Sequence, residues 1–243
     1  MAGQVKYIMR SQLDISYIKS RISDPYSIKD FISLEDVEHL VALFESQKTT
    51  PNAVYKNTGP ITLDIKNYSE DPVISKVIEK LKVELGNFDI TAGFFFITNY
   101  PHIIHNDDTF ELPKGVYKGI TIPLKTYGTD NVPDLCFFDQ FYFHGPAKFF
   151  NGDENVPTYY NKQVYKYSEV DGLADGMSID ESTRIFYLTH LKIKWLEGLS
   201  LWGTLKWKPT SALIFDSVRL HCASDFRQKG ITHKLGISIF TKL

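Results

Sequence analysis

The sequence predicts a mainly antiparallel β sandwich or barrel with flanking α-helices packed outside it. Three observations lead there. Two clear helical periods come early in the 243 residues, and short runs rich in β-branched and aromatic residues follow them. Those runs do not alternate with helices, as a doubly wound parallel sheet would require. Hydrophobic residues at 43% and aromatics at 14% supply enough apolar surface for a sizeable core.

The first helix is expected in DFISLEDVEHLVALFESQ. Ser33 suits an N-cap, Glu35 and Asp36 fill the first turn, and Leu40, Val41, Leu43 and Phe44 form an apolar stripe. A second helix is expected from Asp71-Pro72. Val73, Ile74, Val77, Ile78, Leu81 and Leu85 keep a helical period until Gly86 ends it. Strands are expected at 90–100, 117–127, 134–143, 211–216 and 233–243, with LSLWGTLKW (199–207) as another. The polar, Tyr-bearing stretch 145–182 reads as a long loop or insertion, and Tyr159, Tyr160, Tyr165 and Tyr167 make it a candidate substrate lid. No linker divides the chain. Residues 1–243 are expected to form one domain, with 1–88 as helical support and 89–243 as the β core.

A formal net charge of −2 argues against a protein that holds nucleic acid mainly by neutralising phosphates. Cys136 and Cys222 are too few for a disulfide scaffold or a cysteine-based zinc site, and read as reduced thiols of a cytoplasmic protein. The N-terminal MAGQVKYIMRSQLD lacks the apolar run of a secretory signal, and no window approaches a membrane span.

The stretch PHIIHNDDTF (101–110) raises the chemical question. His105 and Asp107 are two apart, so on an extended segment both side chains point to one side and can converge on one ion. Composition alone makes such a triplet common; further ligands must decide. His221 follows the apolar run ALIFD, and Lys234 opens the last strand thirteen residues further on. Two histidines and a carboxylate on one face of an octahedron leave three positions open, the facial triad of non-heme Fe(II) oxygenases. Lys234, Gly236 and Ser238 share one strand face, so an ammonium and a hydroxyl can meet one acidic cosubstrate.

These pieces, HNDD, LIFDSVRLH and a cation on the following strand, resemble the Fe(II)/2-oxoglutarate-dependent dioxygenases. The phytanoyl-CoA dioxygenase-like and prolyl-hydroxylase-like branches are the most similar, from about residue 88 to the C-terminus. The resemblance implies a double-stranded β-helix (a jelly roll, cupin-like). It implies Fe(II) ligated by His105, Asp107 and His221, and 2-oxoglutarate and O2 as cosubstrates. Hydroxylation would release succinate and CO2. Lys234 would pair the far carboxylate of 2-oxoglutarate with help from Ser238, and Tyr100, Thr121 and Tyr127 are further candidate hydrogen-bond partners. Many members carry Arg for this carboxylate, and Arg227 and Lys229 stand as alternatives to Lys234. The implied substrate is an amino-acid, peptidyl or other small-molecule group, with a nucleobase least favoured.

Two other readings stand beside this one. The first is a cupin-like metalloenzyme that does not use 2-oxoglutarate, and the second a non-catalytic jelly-roll binding module. Phe94, Phe95 and Phe96 read as core, Asp216 as a turn or hydrogen-bonding residue, His144 as structural, and His102 and Asp108 as bystanders of the H-x-D triplet.

Overall fold

The computed structural model describes residues 12–49, 61–107, 117–145, 147–149, 169–176 and 178–242. Asp108, Tyr159, Tyr160, Tyr165 and Tyr167 lie outside the described residues. Helix α1 (Gln12–Lys19) leads into the short strand β1 (Tyr26–Ile28). Helix α2 (Leu34–Gln47) starts at the expected cap. Ser33 Oγ accepts the Asp36 N–H at 3.1 Å, and the Asp36 carboxylate accepts the Ser33 N–H at 3.0 Å, closing a capping box. Strand β2 (Ile61–Asp64) precedes helix α3 (Pro72–Leu85). Asp71 caps α3 by accepting from Val73 and Ile74, and Gly86 ends it at φ +78°.

The remaining elements are β3 (Asp89–Thr98), β4 (Lys118–Tyr127), β5 (Asp134–Phe141), α4 (Glu181–Tyr187), β6 (Leu201–Lys206), β7 (Ala212–Asp216), β8 (Arg219–Ala223) and β9 (His233–Lys242). The expected strands form within a few residues of their predicted limits. The short β1 and β2 are additions, so the N-terminal region supplies edge strands as well as helices. Three or four residues are too few to show a period of two. LIFDSVRLH also divides differently from the expectation of one histidine-bearing strand. A turn at Ser217–Val218 breaks it into β7 and β8, which belong to different sheets.

One sheet runs β1-β7-β4-β9-β3-β2 and the other β6-β5-β8, every pairing antiparallel. β3 pairs with β9, the segment at His105 with β8, β4 with β7, and β5 with β6. First pairs with last, inward to the central hairpin. That nesting is the jelly roll.

The pleat divides the core. Leu235, Ile237 and Ile239 of β9 pack with Leu40 and Phe44 of α2 and Ile74, Val77 and Leu81 of α3. The alternate residues Lys234, Gly236 and Ser238 face the other way, with Phe94, Phe96, Leu213 and Phe215 of the same sheet. There they meet Phe137 of the opposite sheet and Trp207, one residue past the end of β6. Gly236 is glycine for a reason: a Cβ there would lie 2.8 Å from the Trp207 ring. No helix among the described residues is long and apolar enough to cross a membrane.

A buried ion pair ties the N-terminal segment to this frame. Lys118 Nζ donates to Asp216 at 2.6 Å and to Ser23 Oγ at 2.8 Å, and the Ser23 N–H donates to Asp216 at 2.7 Å. Asp216 is thus the hydrogen-bonding residue that its position suggested. Removing one partner of a buried pair strands the other charge. Lys118→Ala is therefore expected to lower unfolding free energy by about 3–5 kcal/mol in chemical denaturation. Lys118→Met combined with Asp216→Leu should recover part of that loss; equal or greater destabilisation would contradict the account.

Candidate metal centre

The loop after β3 returns to the second sheet at one residue. The His105 N–H donates to the His221 carbonyl and the His221 N–H to the His105 carbonyl, both at 2.9 Å. A hydrogen-bonded antiparallel pair presents both side chains on one face, and the two rings lie 4.3 Å apart between centroids. Two residues on, the Asp107 N–H donates to the carbonyl of Ser217 at 2.8 Å, in the turn between β7 and β8. The carboxylate is thereby brought against both imidazoles. His105 Nε2 lies 3.6 Å from Asp107 Oδ1, and His221 Nε2 lies 3.4 Å from Asp107 Oδ2. One ligand atom from each of the three falls within 4.8 Å of the others.

The other ring nitrogens decide what these atoms can do. His105 Nδ1 sits 2.7 Å from the carbonyl of Ile103, and His221 Nδ1 3.0 Å from the carbonyl of Arg219. A carbonyl only accepts, so each Nδ1 carries the proton. In the neutral ring Nε2 then keeps its lone pair toward Asp107. Burial holds His105 well below the ordinary histidine value, with the neighbouring His221 adding to the effect. Burial alone would raise the Asp107 carboxyl, but the facing His221 and then His105 outweigh it and keep it ionised. With both rings neutral, the Nε2 lone pairs and the Asp107 oxygens converge on one point. A divalent cation resolves that arrangement, and two imidazoles with one carboxylate fit Fe(II).

The surroundings are shaped around the triad. Gly119 of β4 leaves room for Asp107; a Cβ there would lie 3.1 Å from its Oδ2 and 2.7 Å from the Phe215 ring. Phe215 and Phe137 flank His221 at 4.6 and 5.9 Å between ring centroids. Asn106, the middle residue of H-x-D, points the opposite way and is buried. Its amide donates to the carbonyls of Tyr142 and Gly145 at 3.1 and 3.0 Å, and its carbonyl accepts the Ala147 N–H at 2.7 Å. Alternation about His105 and Asp107 is the signal that could have found it.

His102 is no surface bystander. Its ring stands edge-on to His105 at 5.5 Å, and burial, then the charge of Lys234, push it down to about 3. His144 rests edge-on against Tyr142, in keeping with a structural part.

Lys234 lies inside the barrel with 5% of its surface exposed. Its ammonium sits over the rings of Trp207 and Phe226 at 5.2 and 5.5 Å. Among the described residues it has no hydrogen bond or ion pair, and burial pushes it down to about 8. Thr121 and Ser238 are direct cross-strand partners on the same interior face. The alternative cations are occupied: Arg227 pairs with Asp225 at 3.0 Å and Lys229 with Asp134 at 2.7 Å. Tyr100 stands on the turn after β3 with 38% of its surface exposed. The Tyr127 hydroxyl donates to Glu45 at 2.9 Å, on the helix-packed side of the sheet. Phe95 is core among the helices, whereas Phe94 and Phe96 face the interior.

No family model and no curated protein matches the chain. Among solved structures it is similar to the non-heme α-ketoglutarate-dependent epimerase SnoN from nogalamycin biosynthesis. That match has 8% identity and a TM-score of 0.48, covering 96% of this chain and 83% of that one. It is also similar to EctD from S. alaskensis with bound Fe, at 12% identity and a TM-score of 0.48 over 99% and 79%. A third is HygX from Streptomyces hygroscopicus with nickel and 2-oxoglutarate bound, at 10% and 0.46 over 95% and 86%. The reading of the site rests on its side chains, not on these likenesses.

Asn106→Ala removes three buried hydrogen bonds. It is expected to cost about 2–4 kcal/mol of stability and, by freeing the 105–107 segment, to weaken divalent-metal binding while leaving all three ligands in place. Calorimetric titration with Zn(II) checks this, and unchanged affinity would remove Asn106 from any positioning role.

Proposed function

We propose that the chain is an Fe(II)- and 2-oxoglutarate-dependent dioxygenase, a hydroxylase of an amino-acid, peptidyl or other small-molecule substrate, formed by residues 1–243 as one domain. The observation that carries this reading is the pairing of the triad with an unneutralised ammonium inside the same barrel. Burying a lone cation is costly, and Lys234 has no anion among the described residues. A cosubstrate that brings a carboxylate offsets that cost, and 2-oxoglutarate can reach the metal with its keto-acid end at the same time. A cupin-like metalloenzyme without 2-oxoglutarate leaves the charge of Lys234 unexplained. A non-catalytic module leaves unexplained why both Nδ1 protons are tied back so that the Nε2 atoms face a carboxylate.

The geometry supports the following roles. His105, His221 and Asp107 would hold Fe(II), the histidines through Nε2. Lys234 would pair the far carboxylate of 2-oxoglutarate, with the Thr121 and Ser238 hydroxyls as neighbouring donors. A bound metal would supply, with 2-oxoglutarate and O2, the oxidising chemistry, with succinate and CO2 as coproducts. Phe94, Phe96, Phe137 and Phe215 exclude water from the interior. Cys136 and Cys222 are direct cross-strand partners and free thiols, which favours a reducing compartment such as the cytoplasm.

Anaerobic addition of Fe(II) and 2-oxoglutarate to the wild type is expected to give a metal-to-ligand charge-transfer absorption. It should vanish in His105→Ala and Asp107→Ala; its absence from wild type, with no succinate formed under O2, sinks the reading. Lys234→Met is expected to weaken 2-oxoglutarate binding about a hundredfold, near 3 kcal/mol, while Arg227→Ala and Lys229→Ala leave it unchanged.

Lys234 also makes stability depend on pH. Its folded value, about 8, lies below the unfolded one, so it destabilises the empty protein fully below pH 8, and the penalty fades as pH rises toward the unfolded value. Metal-free Lys234→Met should therefore exceed wild type in stability at pH 7, by on the order of 3 kcal/mol. The gap should shrink between pH 8 and 10.5. A pH-independent gap would show that Lys234 is not a buried, unpaired cation.

A further inference from the structure

The H-x-D segment and the turn between β7 and β8 meet in space, and another buried cation, Arg219, stands beside them. Arg219 opens β8 two positions before His221, so both side chains leave the strand on the same face. The turn just before it holds Asp107 through the Ser217 carbonyl at 2.8 Å. The guanidinium lies over the rings of Phe141 and Trp202 at 4.4 and 5.7 Å. Trp202 stands edge-on to Phe137, which flanks His221. Arg219 and the metal ligands therefore share one aromatic wall.

The donors of Arg219 are poorly used for so buried a group. The side chain is 5% exposed. Nη1 donates to the carbonyl of Phe138 at 2.9 Å, and Nε is buried with no hydrogen-bond partner. The acid nearest the fork is Asp24, at 3.6 Å from Nη2, beyond good hydrogen-bond distance and on a side chain 73% exposed. Asp216 and Asp139 also face Arg219, but Asp216 is taken by Lys118 and Ser23, and Asp139 by the Ser200 hydroxyl at 2.6 Å. A guanidinium held between ring faces offers its in-plane edge, and that edge matches a planar carboxylate with two parallel N–H···O bonds.

We propose that Arg219 anchors a carboxylate of the primary substrate, placing that acid beside the metal, and that Asp24 stands in its place in the empty protein. The substrate class this assigns is a small molecule bearing a free carboxylate, such as an amino acid or N-acyl amino acid, with the group to be oxidised a few bonds from the acid. Within a long peptide only an Asp or Glu side chain or the C-terminus offers such a group. The proposal rests on reading His105, Asp107 and His221 as the metal site, and it gives Arg219 a role separate from that of Lys234.

The test is a thermal-shift and calorimetric screen of the full chain, loaded with Zn(II) and 2-oxoglutarate. The probes are free L-amino acids and their N-acetyl derivatives, each beside its primary carboxamide. Wild type is expected to bind at least one carboxylate and to bind its carboxamide about tenfold or more weakly, the worth of a charge-assisted pair. Asp24→Asn, which removes the competing acid without touching the metal site, should tighten that carboxylate about two- to fivefold. Arg219→Gln should abolish the preference for acid over amide. Arg219→Lys keeps the charge but not the fork and should weaken carboxylate binding about tenfold.

The proposal is overturned if no carboxylate is preferred over its amide in wild type. It is equally overturned if Asp24→Asn and Arg219→Lys both leave the preferred carboxylate's affinity unchanged. Should Arg219→Gln fail to fold for want of the Phe138 bond, the Lys and Asp24 variants still decide. The Fe(II)–2-oxoglutarate absorption, recorded on the same variants, separates the two readings. Its loss in wild type overturns the dioxygenase reading, whereas its retention in Arg219→Lys with weakened carboxylate binding supports Arg219 as a substrate anchor.

Discussion

Two backbone hydrogen bonds between His105 and His221 are the constraint on which the site depends. They join a loop to the short strand β8 and set both rings on one face. A third bond, from the Asp107 N–H to Ser217, then has only one place to put the carboxylate. None of these bonds involves a ligand atom. The main chain thus brings the three side chains together, and the Nδ1 bonds to the Ile103 and Arg219 carbonyls turn both Nε2 atoms toward Asp107.

Around that centre the fold handles buried charge in three different ways. Lys118 is neutralised by Asp216 and fastens the segment at Ser23 to the sheet. Lys234 lies among aromatic rings with no counter-ion among the described residues. Arg219 falls between them, with one donor committed to Phe138 and an exposed acid at long range. Buried charges are stable when paired and costly when not. Among the described residues, Lys234 and Arg219 are the buried cations whose pairing is incomplete. Trp207, seated against Gly236, helps wall the cation of one, and Trp202 that of the other.

Much of the scaffold was legible in order. The caps at Ser33 and Asp71 act through bonds between near neighbours in sequence, so local pattern suffices for them. The runs that became β3, β4, β5, β7 and β9 carry enough β-branched and aromatic residues to announce themselves. The strands missed, β1, β2 and β8, are short, and β8 follows β7 after a two-residue turn, so the apolar pattern runs through the change of sheet. His102 lies half-buried with its ring against His105, and spacing along the chain says nothing of which ring a loop folds against. Asn106 and Arg219 were passed over for a related reason: their partners are dozens of residues away.

By itself the sequence determined which residues are able to act: an H-x-D triplet, a histidine after an apolar strand, and a lysine on the face of the last one. These are matters of residue type and of periods of two, which the chain carries locally. Only the tertiary structure decided that His105 and His221 are hydrogen-bonded partners and that, among the described residues, Arg227 and Lys229 have acidic partners and Lys234 has none. It decided too that Arg219 shares the aromatic wall that flanks His221. Those facts depend on which strands pair and on what burial leaves unpaired, and both arise only when distant segments close around a common core.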